Sequence, residues 1–419
     1  MADAYGNVLI NLRTAPMDSE KSVTYFLNDE GEIKNKVSLN VTPPNKILGL
    51  TYSDRFFNQY SNIEKYQLKE IDHLQIDKVT LAASHKKIDL KIGSKEILLG
   101  CSENGQYLYT FSTRKKSKEL VIRKLNGDQL EEFAFGDIQM PDFWKHFKKK
   151  AEVGIIKADS RSSVKTGKYD KKFYISDSTK IYCTLDRKDT THLLTLDLAK
   201  NTNSYQAISP NTEGFDFNKL RSFIHGERIF LMAANSENLS LSMYELDSLR
   251  EIQKHLFNEE EILDLANSNF YESYSINTDF FGGDELEKEK QKKRFLTRLN
   301  YSATIPVFYV KSHSNVLQML LGFVASGGNL PIAGMETTAS YSHPGFAVMF
   351  KTAFNAQDFG RLNISMDKDN LDRMYDRLEP LLKERQVGEI TFYPYSGGYH
   401  VAYQYIIDNT IRIDFVKNL

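Results

Sequence analysis

A strand–loop–strand pattern that recurs three times between residues 105 and 246 constrains the fold of this chain most strongly. In each copy, two short runs of alternating apolar residues flank a polar loop of about five residues, which is the signature of a β-hairpin. The copies run from Tyr107 to Leu125, from Ile181 to Leu198 and from Ile229 to Leu246. Because the loops carry the charge, we expect the strands to be buried on at least one face.

Repeated short strands at this spacing are typical of a β-propeller, whose blades run about 40–50 residues each. In a chain of 419 residues, that blade size predicts roughly six to seven blades with room for insertions. We therefore predict a mainly β fold with helical insertions, propeller-like in architecture. A multi-domain arrangement of β-sandwich or α+β type is the alternative.

The chain changes character after its first 257 residues, and three regions are predicted on that basis. Residues 1–257 form the β-rich repeat region, and residues 258–300 form a charged, partly helical insertion in which Asp284 can cap a helix. Residues 301–419 form an α+β part that can complete the propeller. Within this part, apolar residues at helical spacing predict a helix over about 370–385, followed by a three-stranded meander.

Charge and hydropathy exclude two classes of partner. The chain has 54 Lys and Arg against 55 Asp and Glu, a net charge of −1, and a nucleic-acid-binding protein needs a basic surplus on at least one face. No stretch approaches about 18 apolar residues, so no membrane insertion is predicted. The N-terminal residues lack a signal-peptide pattern, which predicts a cytoplasmic protein; a periplasmic or secreted location is the alternative if the chain is a processed form.

The sequence contains no complete set of motifs for catalysis, cofactor binding or metal binding. Ser162–Lys165 and Lys165–Gly167 each match a motif of the serine β-lactamases, but both motifs would need the same lysine. Gly167 and Lys168 lack the first glycine of a phosphate-binding loop. No two of the nine histidines are spaced three or four residues apart, the usual helical ligand spacing. We therefore predict no cofactor and no metal.

The hairpins carry no Trp-Asp signature, and the single tryptophan, Trp144, lies outside them. In this they resemble the diverged, non-WD40 β-propeller-like proteins found among uncharacterised bacterial proteins. The resemblance covers residues 105–246 and rests on the strand pattern. It implies a propeller fold and transfers no functional residue.

Two segments hold the candidate binding residues. Residues 325–344 form the longest run of small and polar residues, and a loop of this length is either functional or a flexible connector. A predicted strand near the C-terminus carries a tyrosine stripe on one face, which can bind a ligand or partner or simply pack within its sheet. The candidates are Asn329, Glu336, Tyr341, His343, Tyr399, Tyr403 and Tyr405.

The absence of a catalytic motif in a large β-rich chain favours a non-catalytic protein-binding or scaffold protein that presents a β-rich surface to a protein partner. The alternative is a hydrolase acting on a glycan or peptide through carboxylates in a cleft at the propeller mouth. Such an enzyme would need two carboxylates about 5–10 Å apart, one of them with a raised pKa.

Overall fold

The computed structural model of the chain describes most of the repeat region and the strands of the C-terminal part. The described residues are 8–14, 21–28, 33–40, 46–62, 69–147, 153–157, 167–176, 179–268, 270–273, 288–300, 304–313, 315–325, 347–366, 387–395, 398–405 and 410–417. The chain divides into two compact units. The first comprises Met1–Asp137, His146–Lys150 and Lys368–Leu419, and the second comprises Ile138–Lys145 and Ala151–Asp367.

The first unit holds four antiparallel sheets whose strands follow one another in chain order. Sheet A contains β1 (Val8–Thr14), β2 (Lys21–Leu27) and β3 (Ile33–Asn40). Sheet B contains β4 (Lys46–Tyr52), β5 (Phe56–Asn62), β6 (Glu70–Asp77) and β7 (Ala83–Asp89). Sheet C contains β8 (Glu96–Glu103), β9 (Leu108–Arg114), β10 (Glu119–Asn126) and β11 (Gln129–Phe135). Sheet G contains β25 (Val387–Tyr395), β26 (Gly398–Tyr405) and β27 (Thr410–Lys417).

The second unit holds three sheets of four or five strands. Sheet D contains β12 (Gly154–Lys157), β13 (Lys171–Ile175), β14 (Lys180–Asp186), β15 (Thr191–Asp197) and β16 (Thr202–Ile208). Sheet E contains β17 (Lys219–His225), β18 (Arg228–Ala234), β19 (Asn238–Glu245) and β20 (Glu251–Asn258). Sheet F contains β21 (Tyr271–Ser273), β22 (Thr304–His313), β23 (Val316–Ala325) and β24 (Ala347–Asn355) in the order β21-β24-β23-β22. All neighbours in these sheets are antiparallel except β12, which pairs with β13 in parallel.

Three helices lie in the described part of the chain: α1 (Phe143–His146), α2 (Glu259–Asp264) and α3 (Lys288–Asn300). Helix α2 begins directly after β20, where Asn258 and Glu261 form a reciprocal capping box. This arrangement satisfies two backbone N–H groups that the first turn would leave unpaired. The predicted cap Asp284 and the predicted helix over about 370–385 both lie outside the described residues.

The three predicted hairpins are strands in the interior of their sheets. They correspond to β9–β10, β14–β15 and β18–β19, each with neighbours on both sides. An interior strand has both faces covered, and β18 accordingly has six consecutive buried residues. The last strand of the same sheet, β20, alternates between exposed and partly buried positions. Because strands buried on both faces need many apolar residues, these hairpins could be recognised from the sequence.

The predicted fold class is confirmed. The described residues are mainly β, with few helices, and form seven sheets, of which four are four-stranded and antiparallel. A four-stranded meander of this kind is the unit of a propeller blade, and the number of sheets agrees with the roughly six to seven units predicted. The proposed region boundaries at residues 257 and 300 remain predictions.

The core of the second unit fixes the elements that surround the site described below. Side chains of sheets E and F form one buried cluster with residues of α2 and α3. Phe295 of α3 packs with its ring centroid 5.5 Å from Phe270 and 5.0 Å from Phe350. Edge-to-face aromatic contacts of this kind add to the burial of apolar area. They hold the middle of α3 against sheet F.

Candidate functional site

A polar cavity of about 550 Å³ opens inside the second unit, where strand ends of sheets D, E and F converge. Its lining comes from the residue before β13, the end of β14 with the turn that follows, the start of β17 and the start of β22. The residues are Asp170, Asp186, Arg187, Lys188, Asp189, Asn218, Lys219, Leu220, Arg221, Thr304, Ile305 and Pro306. Most of these side chains are ionisable, so charge defines the character of this cavity.

A buried ion pair joins Asp186 of the lining to Lys172, which lies behind it. Lys172 Nζ lies 2.8 Å from Asp186 Oδ2, and both side chains are completely buried. Asp186 also accepts hydrogen bonds from the backbone N–H of Ser222 at 3.0 Å and from the Thr191 hydroxyl at 2.8 Å. Lys172 donates a second bond to the carbonyl of Tyr169 at 2.7 Å. Every buried charge of the pair is thus compensated by an opposite charge and by hydrogen bonds.

The surroundings of Asp186 favour its charged form. Burial alone would raise its pKa, but the charges of Lys172 and Arg221 and the bonds from Lys172 and Ser222 outweigh burial and lower it. Burial lowers the pKa of Lys172, and the adjacent carboxylate opposes that shift. Asp186 is therefore an ionised hydrogen-bond acceptor at neutral pH.

Arg221 brings a guanidinium to the same cavity. Its Nη1 donates to the carbonyl of Leu220 at 2.7 Å, whereas its Nε is buried and has no hydrogen-bond partner. Burial lowers the pKa of Arg221, and Asp186 and Asp170 act in the opposite direction. An arginine keeps its proton in proteins, so this side chain places a fixed positive charge in the lining.

Lys219 supplies a second buried cation. Its Nζ donates to the carbonyl of Leu299 at 2.6 Å, in the last turn of α3, where the unpaired carbonyls of a helix attract positive charge. Burial lowers the pKa of Lys219. The turn after β14 completes the rim with Arg187, which is half-buried, and with Lys188 and Asp189, which are exposed.

The predicted binding residues fall into two groups. Asn329, Glu336, Tyr341 and His343 fall outside the described residues. Tyr399, Tyr403 and Tyr405 lie on β26, opposite Val416, Arg412 and Thr410 of β27. Their even spacing along the strand, of four and two residues, is the basis for predicting a shared face. Their role in binding remains a prediction.

The cavity residues Lys172, Asp186, Lys219 and Arg221 were not among the candidates drawn from the sequence. Lys172 follows Lys171 and precedes Phe173 in β13, Asp186 closes β14, and β17 carries both Lys219 and Arg221. Charges at the ends of strands are compatible with solvent-facing positions. The signal that could have found these residues is the coincidence of basic residues at the start of two strands with an Asp at the end of another.

A second buried ionic cluster, in sheet C of the first unit, serves as an internal comparison. Arg123 is fully buried, with Nη1 2.5 Å from Glu96 Oε1 and Nη2 2.9 Å from Glu132 Oε2. Its Nη2 also donates to the carbonyl of Lys91 at 3.3 Å. Two carboxylates thus serve this guanidinium directly, and the cluster ties three strands of the sheet together.

Among the residues that the structure describes, no group of three or more His, Cys, Asp or Glu side chains is arranged to hold a metal ion. No helix among the same residues is long and apolar enough to cross a membrane.

Comparison with known proteins gives structural matches alone. No family model matches the sequence, and no curated protein matches it. The chain is similar to cobalt-substituted Synechocystis ACO, with 8% identity and a TM-score of 0.32 over 60% of this chain and 58% of that chain. A variant of Synechocystis apocarotenoid oxygenase (ACO) matches with 8% identity and a TM-score of 0.32 over 60% and 57% of the two chains. An ACO/RPE65 chimera matches with 9% identity and a TM-score of 0.31 over 60% and 58%.

The chain thus spans less than three fifths of the length of these solved structures. No family model matches the sequence alongside this structural similarity to carotenoid oxygenases. Membership of a family of uncharacterised bacterial propeller-like proteins therefore remains a prediction.

Proposed function

We propose that this chain is a non-catalytic binding protein that presents its β-rich surface, including the cavity at Asp186 and Arg221, to a protein partner. The observation that carries the proposal is the fixed charge of the cavity. Its buried carboxylate is paired with Lys172 at 2.8 Å and accepts two further hydrogen bonds. A group held this firmly in one protonation state is suited to recognition by charge.

The alternative, a hydrolase, makes a different demand on the same cavity. It needs a carboxylic acid whose pKa is raised, so that it can donate a proton to a leaving group. Asp186 is the most buried of the three lining carboxylates, and its pKa is lowered. The structure therefore favours binding over hydrolysis at this cavity.

The rest of the described surface suits a polar partner. Its exposed large apolar residues are Ile33, Val79 and Ile364, which are far apart in the sequence. Interfaces of non-obligate complexes are about as polar as the remaining surface and rely on a few well-placed anchors. A charged cavity with an exposed rim can supply such anchors without an extended apolar patch.

The proposal is tested by affinity capture from the cells that produce the protein, at low and moderate salt, with two charge-reversal variants. Lys188→Glu changes the exposed rim of the cavity, and Lys116→Glu makes the same charge change on an exposed loop of sheet C. We expect a stoichiometric partner that the first variant loses and the second retains. Equal retention by both variants would contradict the role of the cavity. Glycan or peptide hydrolysis that Asp186→Asn abolishes would contradict the non-catalytic function.

A further inference from the structure

The geometry points to a carboxylate as the group that the cavity recognises, bound by the guanidinium of Arg221 and supplied by an acidic segment of the partner. This inference rests on the proposed function and adds the chemistry of the ligand. It is drawn from the hydrogen-bonding of Arg221, from the comparison with Arg123, from the charge of the lining and from the size of the cavity.

The first argument is an incomplete set of hydrogen bonds. A guanidinium has five N–H donors, and the Nε edge with one terminal nitrogen matches the two oxygens of a carboxylate. Arg221 makes one side-chain hydrogen bond in the described structure, from Nη1 to the carbonyl of the neighbouring Leu220. Its Nε is buried without a partner. A buried donor left unpaired is unfavourable, so a ligand that accepts from this edge would bind with an intrinsic advantage.

The second argument is the contrast between Arg221 and Arg123, the fully buried arginine of sheet C. The Nε of Arg123 is also buried without a partner, but its terminal nitrogens are paired with Glu96 and Glu132 at 2.5 and 2.9 Å. Arg221, by contrast, has no carboxylate within 4.0 Å among the described residues; it is only in the wider field of Asp186 and Asp170. Asp186 is engaged by Lys172, Ser222 and Thr191. Arg221 thus lacks the carboxylate partner that Arg123 has in sheet C. Unlike Arg123, it also lines a cavity.

The third argument is the balance of charge. The lining contains four cations, Arg187, Lys188, Lys219 and Arg221, and three acids, Asp170, Asp186 and Asp189. Lys172, behind the lining, neutralises Asp186. Four cations against the two remaining acids leave a surplus of two positive charges. A low-dielectric concave site with a positive surplus attracts anions.

The fourth argument concerns the source of the carboxylate. A cavity of about 550 Å³ lies within the range of about 300–1,000 Å³ that is typical of ligand sites. It is larger than one side-chain carboxylate needs, and its rim residues Lys188 and Asp189 are exposed. An acidic side chain can therefore enter while the rest of its peptide continues outside, which fits a segment of a protein better than an isolated small acid.

The test is fluorescence anisotropy with the full chain and a fluorescein-labelled peptide of alternating Gly and Glu, compared with the matching Gly and Gln peptide. We expect the glutamate peptide to bind at least tenfold more tightly. Arg221→Gln should reduce that affinity at least tenfold, and Arg221→Lys should reduce it severalfold because it keeps the charge and loses the planar fork. Lys116→Glu should leave it unchanged.

Circular dichroism of each variant checks that it folds. Lys188→Glu, which alters an exposed residue, is a second control for misfolding. This variant should weaken binding of the glutamate peptide severalfold with an unchanged melting temperature. Equal binding of the two peptides, or equal binding to the original chain and Arg221→Gln, would overturn the inference. Tighter binding of glutarate than of the peptide in competition would overturn the assignment to a protein segment.

These outcomes separate the inference from the proposed function. Capture of a partner that Lys188→Glu loses and Arg221→Gln retains would leave the binding function standing and remove the carboxylate assignment. If both variants retained the partner and the glutamate peptide did not bind, the binding function and the carboxylate assignment would both be rejected.

Discussion

The buried pair of Lys172 and Asp186 gives the sharpest quantitative prediction, because its geometry is complete on both sides. Replacing Lys172 by Met preserves much of the apolar stem and removes the ammonium. The carboxylate of Asp186 would keep its bonds from Ser222 and Thr191 but would lose its counter-charge in a fully buried site. Breaking a buried ion pair from one side costs about 3–5 kcal/mol, since the remaining charge is uncompensated.

The double variant Lys172→Met, Asp186→Leu removes both charges, and its cost should be less than that of the two single changes added together. The remaining penalty comes from the backbone N–H of Ser222 and the hydroxyl of Thr191, which lose their acceptor at about 1–3 kcal/mol for each buried group. The double-mutant cycle should therefore give an interaction of about 2 kcal/mol or more between the two residues, as for other contacting buried charges.

Hydrogen exchange by mass spectrometry is the appropriate assay, because a chain of two units need not unfold in one step. Exchange of peptides covering β13 and β14 reports the local free energy of opening. A decrease of less than about 1 kcal/mol for Lys172→Met, or strictly additive effects in the cycle, would refute the account of this pair. The pH dependence of stability gives a further check on Asp186. Because the pKa of this carboxyl is lower in the folded than in the unfolded chain, its ionised form stabilises the fold above the unfolded value of about 3.9. That stabilisation is lost as the pH falls below about 3.9.

Three further predictions concern other parts of the chain. Burial lowers the pKa of His73 to about 4, so nuclear magnetic resonance should show a neutral imidazole at pH 5.5, and stability should fall by up to about 3 kcal/mol as the pH drops from 6.5 toward 4; a protonated ring at pH 5.5 would be inconsistent with its burial. Arg123→Met should destabilise sheet C, by less than the cost of about 3–5 kcal/mol for an uncompensated buried charge, because Glu96 loses its buried counter-charge and keeps the partly exposed Arg114 at 3.3 Å; unchanged exchange of β8–β10 amides would contradict this. Asn258→Ala removes the capping box of α2 and should cost about 1 kcal/mol in thermal or urea unfolding, whereas Asn258→Asp should cost little.

The repeating sheets could be predicted because their interior strands are buried on both faces. Strands β9, β14 and β18 each contain six consecutive buried residues, and their apolar side chains produced the recurring pattern. The outer strands were harder to recognise, because one face meets polar surroundings; β16 is partly exposed along most of its length. The parallel pairing of β12 with β13 could not be predicted, since the contact depends on tertiary structure rather than on a local turn.

The cavity was beyond sequence reasoning for a different reason. Lys172 and Asp186 lie on adjacent strands, and Arg221 belongs to the next sheet. Their proximity depends on how sheets D and E pack, which periodicity does not specify. Each charge taken alone fits a solvent-facing strand position. Only the three-dimensional structure shows that Asp186 is fully paired while Arg221 is not.

The most direct test of the binding account is site-specific photo-crosslinking in the cells that produce the protein. p-Benzoylphenylalanine would replace Lys188 at the rim of the cavity in one variant and Lys116 on the loop of sheet C in the other. The account predicts a discrete crosslinked protein at Lys188, competed by the glutamate peptide, and none at Lys116. The same pattern at both positions, or no crosslink at Lys188 in a folded protein, would contradict it.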